Sequence, residues 1–307
     1  PMFDSLAVLP PDSILGLAAA CRADSNPNKV DLTLGVYMDE TGLCPVFEAV
    51  QQAQRDLVQE EMTKVYMPPQ GDAAYLEGVQ TLVLGEERRA LLRDRLTAVQ
   101  TPGGCGAVRL GAEVIFAAAP TATVWVSDPT WPVHIPLMGS VGLQFKSYRY
   151  YSAAIRGLDF TAMLEDLEAA SPGDIVLLHG CCRNPSGVDP NAEQWQALAT
   201  FMAERALVPM VDFAYQGFGD GIEEDSYAAR LMAEKLPEAL IASSCSKNFA
   251  MYRDRAGAIT LVSSSSDIHN TNASHLLGAV RANYSMPPDH GAAVAAYILG
   301  NAELKSE

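Results

Sequence analysis

Short apolar runs alternate along the chain with longer segments whose apolar residues recur at helical spacing. The short runs have the length of buried strands, and the longer segments have the length of helices. This alternation is typical of βαβ units and predicts an α/β fold with a mostly parallel sheet. The predicted strands are Thr123–Ser127, Asp174–His179, Leu207–Val211, Leu240–Ser243 and Ala258–Val262. The predicted helices are Val46–Glu60, Ala73–Leu84, Ala107–Ala118, Phe160–Ala169, Ala192–Arg205, Tyr227–Lys235 and Asp267–Asn283.

The composition of the chain argues against two classes of binding partner, nucleic acids and membranes. The 307 residues carry 37 Asp and Glu against 21 Lys and Arg, a formal net charge of −16. Nucleic-acid binders neutralise phosphates with clustered basic residues, and this chain has no such cluster, so no nucleic-acid partner is expected. The apolar share of 49% is too high for intrinsic disorder. No apolar run is long enough to span a bilayer, so no membrane partner is expected.

The six cysteines show none of the spacings typical of metal sites, and no metal is predicted. The adjacent pair is poorly placed to form a disulfide with itself. Reduced thiols in a cytoplasmic protein are the simplest interpretation. The cysteines are Cys21, Cys44, Cys105, Cys181, Cys182 and Cys245.

A glycine-rich segment, Thr101–Ala107, leads into a predicted helix. Glycines at a helix start let backbone N–H groups and the positive end of the helix dipole approach an anion. The segment is neither a dinucleotide fingerprint nor a P-loop, because no Lys-Ser or Lys-Thr closes it. An ordinary glycine-rich turn remains the alternative.

Two further strand ends carry reactive side chains. Asp212 ends an apolar strand, and Tyr215 follows three residues later. Lys247 follows another strand within a run of serines, with Arg255 eight residues beyond it. A partly buried Lys has a depressed pKa and can act as a nucleophile toward an aldehyde. The plainer alternatives are a carboxylate that caps the next turn and a solvated loop lysine.

Two more strand ends carry flat rings. His179 ends a strand, and Trp131 follows another, with His134 close behind it. Each ring alone is more typical of a structural residue or of core packing. Together, a nucleophilic Lys, a phosphate cradle, a carboxylate, a phenol and a stacking ring are the parts that pyridoxal phosphate chemistry requires.

With these parts in this order, the sequence resembles class I pyridoxal-phosphate-dependent aminotransferases of the aspartate and aromatic amino-acid family. The resemblance implies the type I fold, a mostly parallel central sheet with helices on both faces. It implies an arm and partial small domain at residues 1–45 and a large cofactor domain at 46–307. The stretches that carry it are Leu34–Tyr37, Asp39–Gly42, Thr101–Ala107, Trp125–Trp131, His179–Gly187, Asp212–Phe218, Ser243–Phe249 and Arg281–Pro288.

The resemblance implies roles for individual residues. Lys247 would bind the cofactor's aldehyde and then shuttle the proton at the substrate Cα. Asp212, held by His134, would pair with the pyridine nitrogen. Tyr215 and Asn184 would hydrogen-bond the ring's phenolate oxygen. Trp131 would stack on the ring, and His179 would support these residues from behind. The phosphate ligands would be Ser244, Arg255, the N–H groups of Gly104 and Cys105, and Tyr66 of a second subunit.

The same resemblance implies the substrates and a partner. The reaction would move the amino group of L-aspartate, or of an aromatic amino acid, to 2-oxoglutarate in a ping-pong cycle. Gly35, Trp131 and Asn184 would contact the substrate. Arg281, contributed by the neighbour in a homodimer, would bind the side-chain carboxylate of a dicarboxylic substrate.

Departures from the family pattern leave alternatives open. Cys105 stands where the family has a Ser or Thr, Cys245 where it has an aromatic residue, and Met286 where it has a small polar residue. The chain also ends before the family's C-terminal segment, which would hold the rest of the small domain and the Arg that binds the α-carboxylate. Another pyridoxal-dependent reaction, such as elimination or decarboxylation, is one alternative. A non-catalytic fragment that only binds cofactor or dimerises is the other.

Overall fold

The computed structural model describes residues 1–10, 13–33 and 35–307. The chain divides into two compact units, Pro1–Pro45 and Val46–Glu307. The first unit holds a short 3₁₀ turn, Met2–Ser5, and helix α1, Ser13–Ala23. The second unit holds the strands and the remaining helices.

Seven strands of the second unit form one sheet in the order β1-β9-β8-β7-β6-β2-β3, and β4 pairs with β5 separately. Strand β9 is antiparallel to β1 and β8, whereas the other neighbours in the large sheet are parallel. The mostly parallel sheet is therefore confirmed. The strands are β1 Leu96–Pro102, β2 Thr123–Asp128, β3 Gln144–Arg149, β4 Tyr151–Ser152, β5 Gly157–Leu158, β6 Ile175–His179, β7 Val208–Phe213, β8 Ala239–Ser244 and β9 Ala256–Val262.

Twelve helices accompany these strands in the second unit, all of which the structure describes. Among the described residues, no helix is both long and apolar enough to cross a membrane. The helices are α2 Glu48–Glu60, α3 Ala73–Leu84, α4 Glu86–Leu92, α5 Gly103–Ala118, α6 His134–Gly139, α7 Phe160–Leu167, α8 Ala192–Glu204, α9 Ile222–Asp225, α10 Tyr227–Lys235, α11 His269–Asn283, α12 His290–Gly300 and α13 Ala302–Lys305.

Helices cover both faces of the large sheet, because its central strands are apolar on both sides. In β2, Val124 and Val126 belong to one hydrophobic cluster, whereas Trp125 between them belongs to the other. This is the alternation that the pleat of a strand imposes. Helices α5 and α11 pack on the first cluster, and α2, α3, α8, α10 and α12 pack on the second. The predicted fold class is confirmed.

Several elements of the structure were not predicted: strands β1, β3, β4 and β5 and helices α1, α4, α6, α9, α12 and α13. Strand β1 was not predicted because it carries buried polar residues, among them Gln100. Both ends of that amide are satisfied: Nε2 donates to the Pro288 carbonyl at 2.7 Å and Oε1 accepts from the Asp72 N–H at 2.9 Å. Strand β3 lies at the sheet edge, and only Tyr148 of it is fully buried, so its apolar signal is weak.

The boundaries of two elements near strand ends also differ from prediction. Helix α5 begins at Gly103 rather than Ala107, so the glycines form its first turn instead of a loop before it. Strand β7 extends to Phe213, which places Asp212 within the strand. The N–H groups near Gly104 therefore belong to the first turn of a helix, and the Asp212 carboxylate belongs to a strand.

Candidate active site

The predicted site residues gather at one edge of the large sheet. The carboxyl ends of β1, β2, β6, β7 and β8 meet there, together with the start of the antiparallel strand β9. Asp212 of β7 lies in register between His179 of β6 and Ala242 of β8. In open α/β sheets ligands bind at this edge. The predicted residues found there are Gly104, Cys105, Trp131, His134, Asn184, Asp212, Tyr215, Ser244, Lys247 and Arg255.

Lys247 lies in the turn that follows β8, half-buried. Its Nζ lies 4.9 Å from the centroid of the Tyr215 ring. Within the described ranges the Lys247 amine makes no hydrogen bond or salt bridge, while the backbone carbonyl of this residue accepts the Ala250 N–H at 2.9 Å. Burial lowers the pKa of this amine, and the nearby Asp212 and Cys105 counteract the shift only in part. A desolvated amine with a lowered pKa is more often neutral, and it is the neutral amine that attacks a carbonyl.

Asp212 is held by a histidine. His134 Nε2 lies 2.7 Å from Asp212 Oδ2, and His134 is fully buried while the Asp212 side chain is 13% exposed. A carboxylate this far from water is costly unless a donor satisfies it, and the imidazole N–H is that donor. The other carboxylate oxygen, Oδ1, accepts no hydrogen bond from the residues that the structure describes.

A chain of hydrogen bonds fixes the tautomer of His134. The Asn184 N–H can only donate, and it points at His179 Nδ1 at 3.3 Å, so the His179 proton sits on Nε2. His179 Nε2 faces Thr130 Oγ1 at 3.3 Å, which leaves that hydroxyl free to donate to His134 Nδ1 at 2.9 Å. His134 therefore carries its proton on Nε2 and presents it to Asp212.

We expect His179 to make folding less favourable in acid. Burial, reinforced by the charge of Arg183 and by His134, holds the pKa of His179 well below 6.5. Below about pH 6.5 the unfolded chain binds a proton that the folded chain does not, so the free energy of unfolding falls by up to about 1.4 kcal/mol per pH unit. Urea unfolding from about pH 7.5 down to 5.5 measures this slope. A His179→Gln variant should show a shallower slope; equal slopes in the two proteins would contradict this reading.

The end of β1 and the start of α5 form a tight cradle with Arg255. Gly103 has φ +69°, and a Cβ on it would lie 2.4 Å from Arg255 Nη2, so only glycine fits. Its N–H donates to the Arg255 carbonyl at 2.8 Å. The next residue, Gly104, packs closely against Ser244. If residue 104 carried a Cβ, that atom would lie 3.3 Å from the Ser244 Cβ.

The donors in this cradle suit a phosphate. Arg255 Nη1 donates to Ser246 Oγ at 3.3 Å, and Ser244 Oγ lies 3.0 Å from the same oxygen. The first-turn N–H groups of the 16-residue helix α5 have no partners within the helix, and its dipole places positive potential there. A guanidinium, two hydroxyls and helix N–H groups together form a set that binds a dianion.

Tyr215, Asn184 and Trp131 add a phenol, an amide and an indole to the same edge. Burial, and after it the charge of Asp212, raises the pKa of Tyr215, while the Asn184 side chain opposes the shift. The phenol is therefore a neutral donor near pH 7. Trp131 is half-buried and stands edge-on to His134, with 5.1 Å between ring centroids.

Two predicted residues of the second unit lie apart from this group, and a third belongs to the first unit. Tyr66, between α2 and α3, is 87% exposed. Arg281, in the last turn of α11, is exposed and donates to Ser285 Oγ. Gly35 belongs to the first unit.

Sequence reasoning missed Thr130, Ser246 and Arg183. Thr130 and Ser246 each link two predicted residues, and their only signal is their place inside the motifs. Arg183 is 1% exposed, donates through Nη1 to Ser127 Oγ at 2.6 Å and stacks 3.6 Å from the Tyr150 ring centroid. Its Nε and Nη2 have no partner among the described residues. Arginine is seldom buried in this way, so composition alone would place it at the surface.

The chain is similar in sequence and in structure to known aminotransferases. A family model described as "Aminotransferase class I and II" matches residues 27–307. An aspartate aminotransferase of Haemophilus influenzae is 42% identical over 100% of this chain and 77% of its own. An aromatic-amino-acid aminotransferase of Pseudomonas aeruginosa is 46% identical over 99% of this chain and 76% of its own. A solved aromatic-amino-acid aminotransferase of Burkholderia pseudomallei, described as covalently bound to pyridoxal phosphate, superimposes with a TM-score of 0.96 at 40% identity, covering 100% of this chain and 77% of that one.

Proposed function

The chain belongs to the aminotransferase class I and II family, and on that premise we propose that it moves the amino group of L-aspartate, or of an aromatic amino acid, to 2-oxoglutarate. Its enzyme class is pyridoxal-phosphate-dependent transaminase. The observation that carries the proposal is that the half-buried Lys247 amine, the His134-bound Asp212 carboxylate and the cradle around Gly104 meet at one edge of the sheet.

The residues present fit pyridoxal phosphate. The phosphate would lie on Gly104, Cys105, Ser244 and Arg255, the donor set that the structure brings together. Asp212 would accept a hydrogen bond from the protonated pyridine nitrogen. Tyr215 and Asn184 would donate to the phenolate oxygen, and the Trp131 ring would stack on the pyridine.

When bound, pyridoxal phosphate supplies an aldehyde carbon that exchanges amino groups and a ring that withdraws electrons from the substrate Cα. Lys247 Nζ would hold the aldehyde before substrate binds and would take the proton from the substrate Cα afterwards. Asp212, fixed by His134, would keep the proton on the ring nitrogen. The Arg255 cradle would hold the phosphate end in place. In the ping-pong order that we propose, one Lys247 serves both halves of the reaction, so the donor leaves as its 2-oxo acid before 2-oxoglutarate binds.

Substrate choice and assembly belong to the same proposal. Both aspartate and aromatic aminotransferases are close relatives of the chain. In the homodimer that we propose, the exposed guanidinium of Arg281 would turn from Ser285 toward a substrate carboxylate in the second subunit, and the exposed phenol of Tyr66 would reach a phosphate there. Gly35 would contact the substrate from the first unit.

We further propose that residues 1–45 form an arm and part of a small domain and residues 46–307 the cofactor domain. The six thiols suit a reducing compartment, so a cytoplasmic location is part of the proposal.

A half-reaction tests the proposal. The cofactor-loaded chain is mixed with L-aspartate or L-phenylalanine in the absence of any acceptor, and the oxo acid released is counted. We expect about one oxo acid per chain, because each Lys247 site turns over once without an acceptor. Adding 2-oxoglutarate should then restore continuous turnover. Bound cofactor without any release of oxo acid would favour a non-catalytic, cofactor-binding fragment instead.

We expect that Cys105→Ser tightens cofactor binding. Cys105 lies among Arg255, Asp212 and Lys247, and burial raises the pKa of its thiol, a poor hydrogen-bond donor. A hydroxyl there would add one donor to the phosphate, worth about 1 kcal/mol, or roughly a fivefold lower Kd. Fluorescence titration of the apo chain with pyridoxal phosphate measures this, with Cys44→Ser, a half-buried thiol of the first unit, as control. Unchanged or weaker binding by Cys105→Ser would refute the placement of residue 105 on the phosphate.

A further inference from the structure

Two adjacent thiols and a carboxylate form a cluster beyond the carboxyl end of β6. Cys181 and Cys182 follow β6, and Asp225 is the last residue of the short helix α9. The two Sγ atoms and a carboxylate oxygen all lie within 4.8 Å of one another. Cys181 and Asp225 are buried, whereas Cys182 is half-buried. The cluster is therefore formed by two separate loops and is open on the side of Cys182.

Backbone hydrogen bonds hold the cluster in place. The N–H groups of Cys182 and Arg183 both donate to the Asp189 carboxylate, at 2.5 Å and 3.0 Å. Cys182 adopts a left-handed φ of +49°, which bends the chain at the second thiol. Asp225 accepts N–H groups from Gly217, Gly219 and Asp220 at 2.8–2.9 Å. Both loops are thus anchored by carboxylates.

The electrostatic environment of the cluster is negative. The Asp225 carboxylate has an oxygen within 4.8 Å of both sulfur atoms. The Asp189 carboxylate lies beside them, since it accepts the N–H groups of Cys182 and Arg183. Two carboxylates beside two sulfur atoms favour a bound cation.

We propose that Cys181, Cys182 and Asp225 bind one divalent thiophilic cation, with Zn²⁺ or Cd²⁺ as suitable ions, in a site separate from the transamination chemistry. Two sulfurs and one carboxylate oxygen are ligands that Zn²⁺ accepts, at about 2.3 Å and 2.0–2.2 Å, and water at the open side would complete a tetrahedron. Each thiol gives its proton to solvent as its sulfur–metal bond forms, and no electron is transferred. The loops need to close only slightly, since ligand atoms of such a tetrahedron lie about 3.5–4 Å apart.

The bound ion would join two loops that carry active-site residues. One loop leads from Cys181 to Asn184, and the other leads from Tyr215 to Asp225. The ion would therefore stabilise the pair of loops that positions the Asn184 amide and the Tyr215 phenol.

Cadmium titration tests the site without measuring transamination. The cofactor-loaded chain, with all six thiols reduced, is titrated with CdCl₂ while the ultraviolet thiolate-to-cadmium charge-transfer band and the released protons are recorded. We expect one equivalent per chain, about two protons per ion and a higher melting temperature. The Cys181→Ser/Cys182→Ser variant should lose all three signals. The matched Cys21→Ser/Cys44→Ser variant, which removes two half-buried thiols elsewhere, should keep them.

The single variant Cys182→Ser keeps the test valid if the double variant fails to fold. It should fold normally, because this side chain is half-exposed and the substitution changes its volume little. It should bind Cd²⁺ at least about tenfold more weakly. A saturating band that survives in the double variant overturns the proposal. So does the absence of a saturable band at stoichiometric Cd²⁺, or its loss in the Cys21→Ser/Cys44→Ser control.

Discussion

Lys247→Ala should lower kcat for transamination by at least about 10⁴-fold, the largest loss expected from any single substitution. The variant loses the amine that bonds to the aldehyde and also the base that moves the proton at the substrate Cα, and general base catalysis alone contributes about 10²–10⁴-fold. The loss should fall on kcat rather than KM, because the phosphate cradle and the substrate contacts remain. Steady-state assay with saturating pyridoxal phosphate, L-aspartate and 2-oxoglutarate measures it.

The matched control for this variant is Lys235→Ala. Lys235 ends α10 with a side chain 52% exposed, and its contact with Glu234 spans 4.0 Å. Removing an exposed pair of this kind costs little stability and should leave kcat unchanged. If Lys247→Ala retained more than about a tenth of the activity, Lys247 would not be the base, since even the low end of general base catalysis exceeds that factor.

Asp212→Asn should lower kcat/KM by about 10²- to 10³-fold. The amide is nearly isosteric and still accepts the His134 N–H, but it carries no charge to hold the proton on the pyridine nitrogen. Removing one member of a buried charge pair costs about 3–5 kcal/mol, which corresponds to a loss of this size or somewhat larger.

The control here is Asp267→Asn, an exposed aspartate that precedes α11. It should match the unmodified chain in kcat/KM and in melting temperature. A second measurement separates charge from folding, because Asp212→Asn should retain pyridoxal phosphate through the unchanged Arg255 cradle. An Asp212→Asn enzyme with full activity would show that the carboxylate does not control the ring nitrogen.

The positions of Asp212, Ser244 and Lys247 were predictable because of the sheet. Each lies at or just beyond the end of an apolar run, and the carboxyl ends of parallel strands meet at one edge. Local patterns therefore placed distant residues together without any knowledge of side-chain contacts. The same patterns gave helices α3 and α10 with their observed ends.

Other features depend on long-range packing that a local pattern does not contain. Gln100 is polar, yet fully buried in β1, because two partners distant in the chain satisfy its amide. Arg183 is buried because Ser127 and the Tyr150 ring receive its guanidinium. Thr130 links His134 to His179 only because the fold places β6, which ends at His179, beside it. A sequence pattern indicates only how often a residue type is buried. The burial and contacts of these three residues depend instead on partners far away in the chain.

The cluster of Cys181, Cys182 and Asp225 was hidden for the same reason. Adjacent cysteines match no metal-type spacing, and the third ligand lies in a separate loop that folds back onto them. The sequence predicted no metal site, whereas the folded chain brings two sulfurs and a carboxylate together.

Borohydride reduction tests the central claim most directly, namely that the Lys247 amine, Asp212 and the Arg255 cradle form one pyridoxal phosphate site. Reduction converts a carbon–nitrogen double bond between the cofactor and a lysine into a stable single bond. Peptide mass mapping of the reduced, cofactor-loaded chain should then find the phosphopyridoxyl group on Lys247, in a yield near one per chain, and this label should disappear in Arg255→Ala at low cofactor concentration. A label on a different lysine, or none at all on Lys247, would contradict the account.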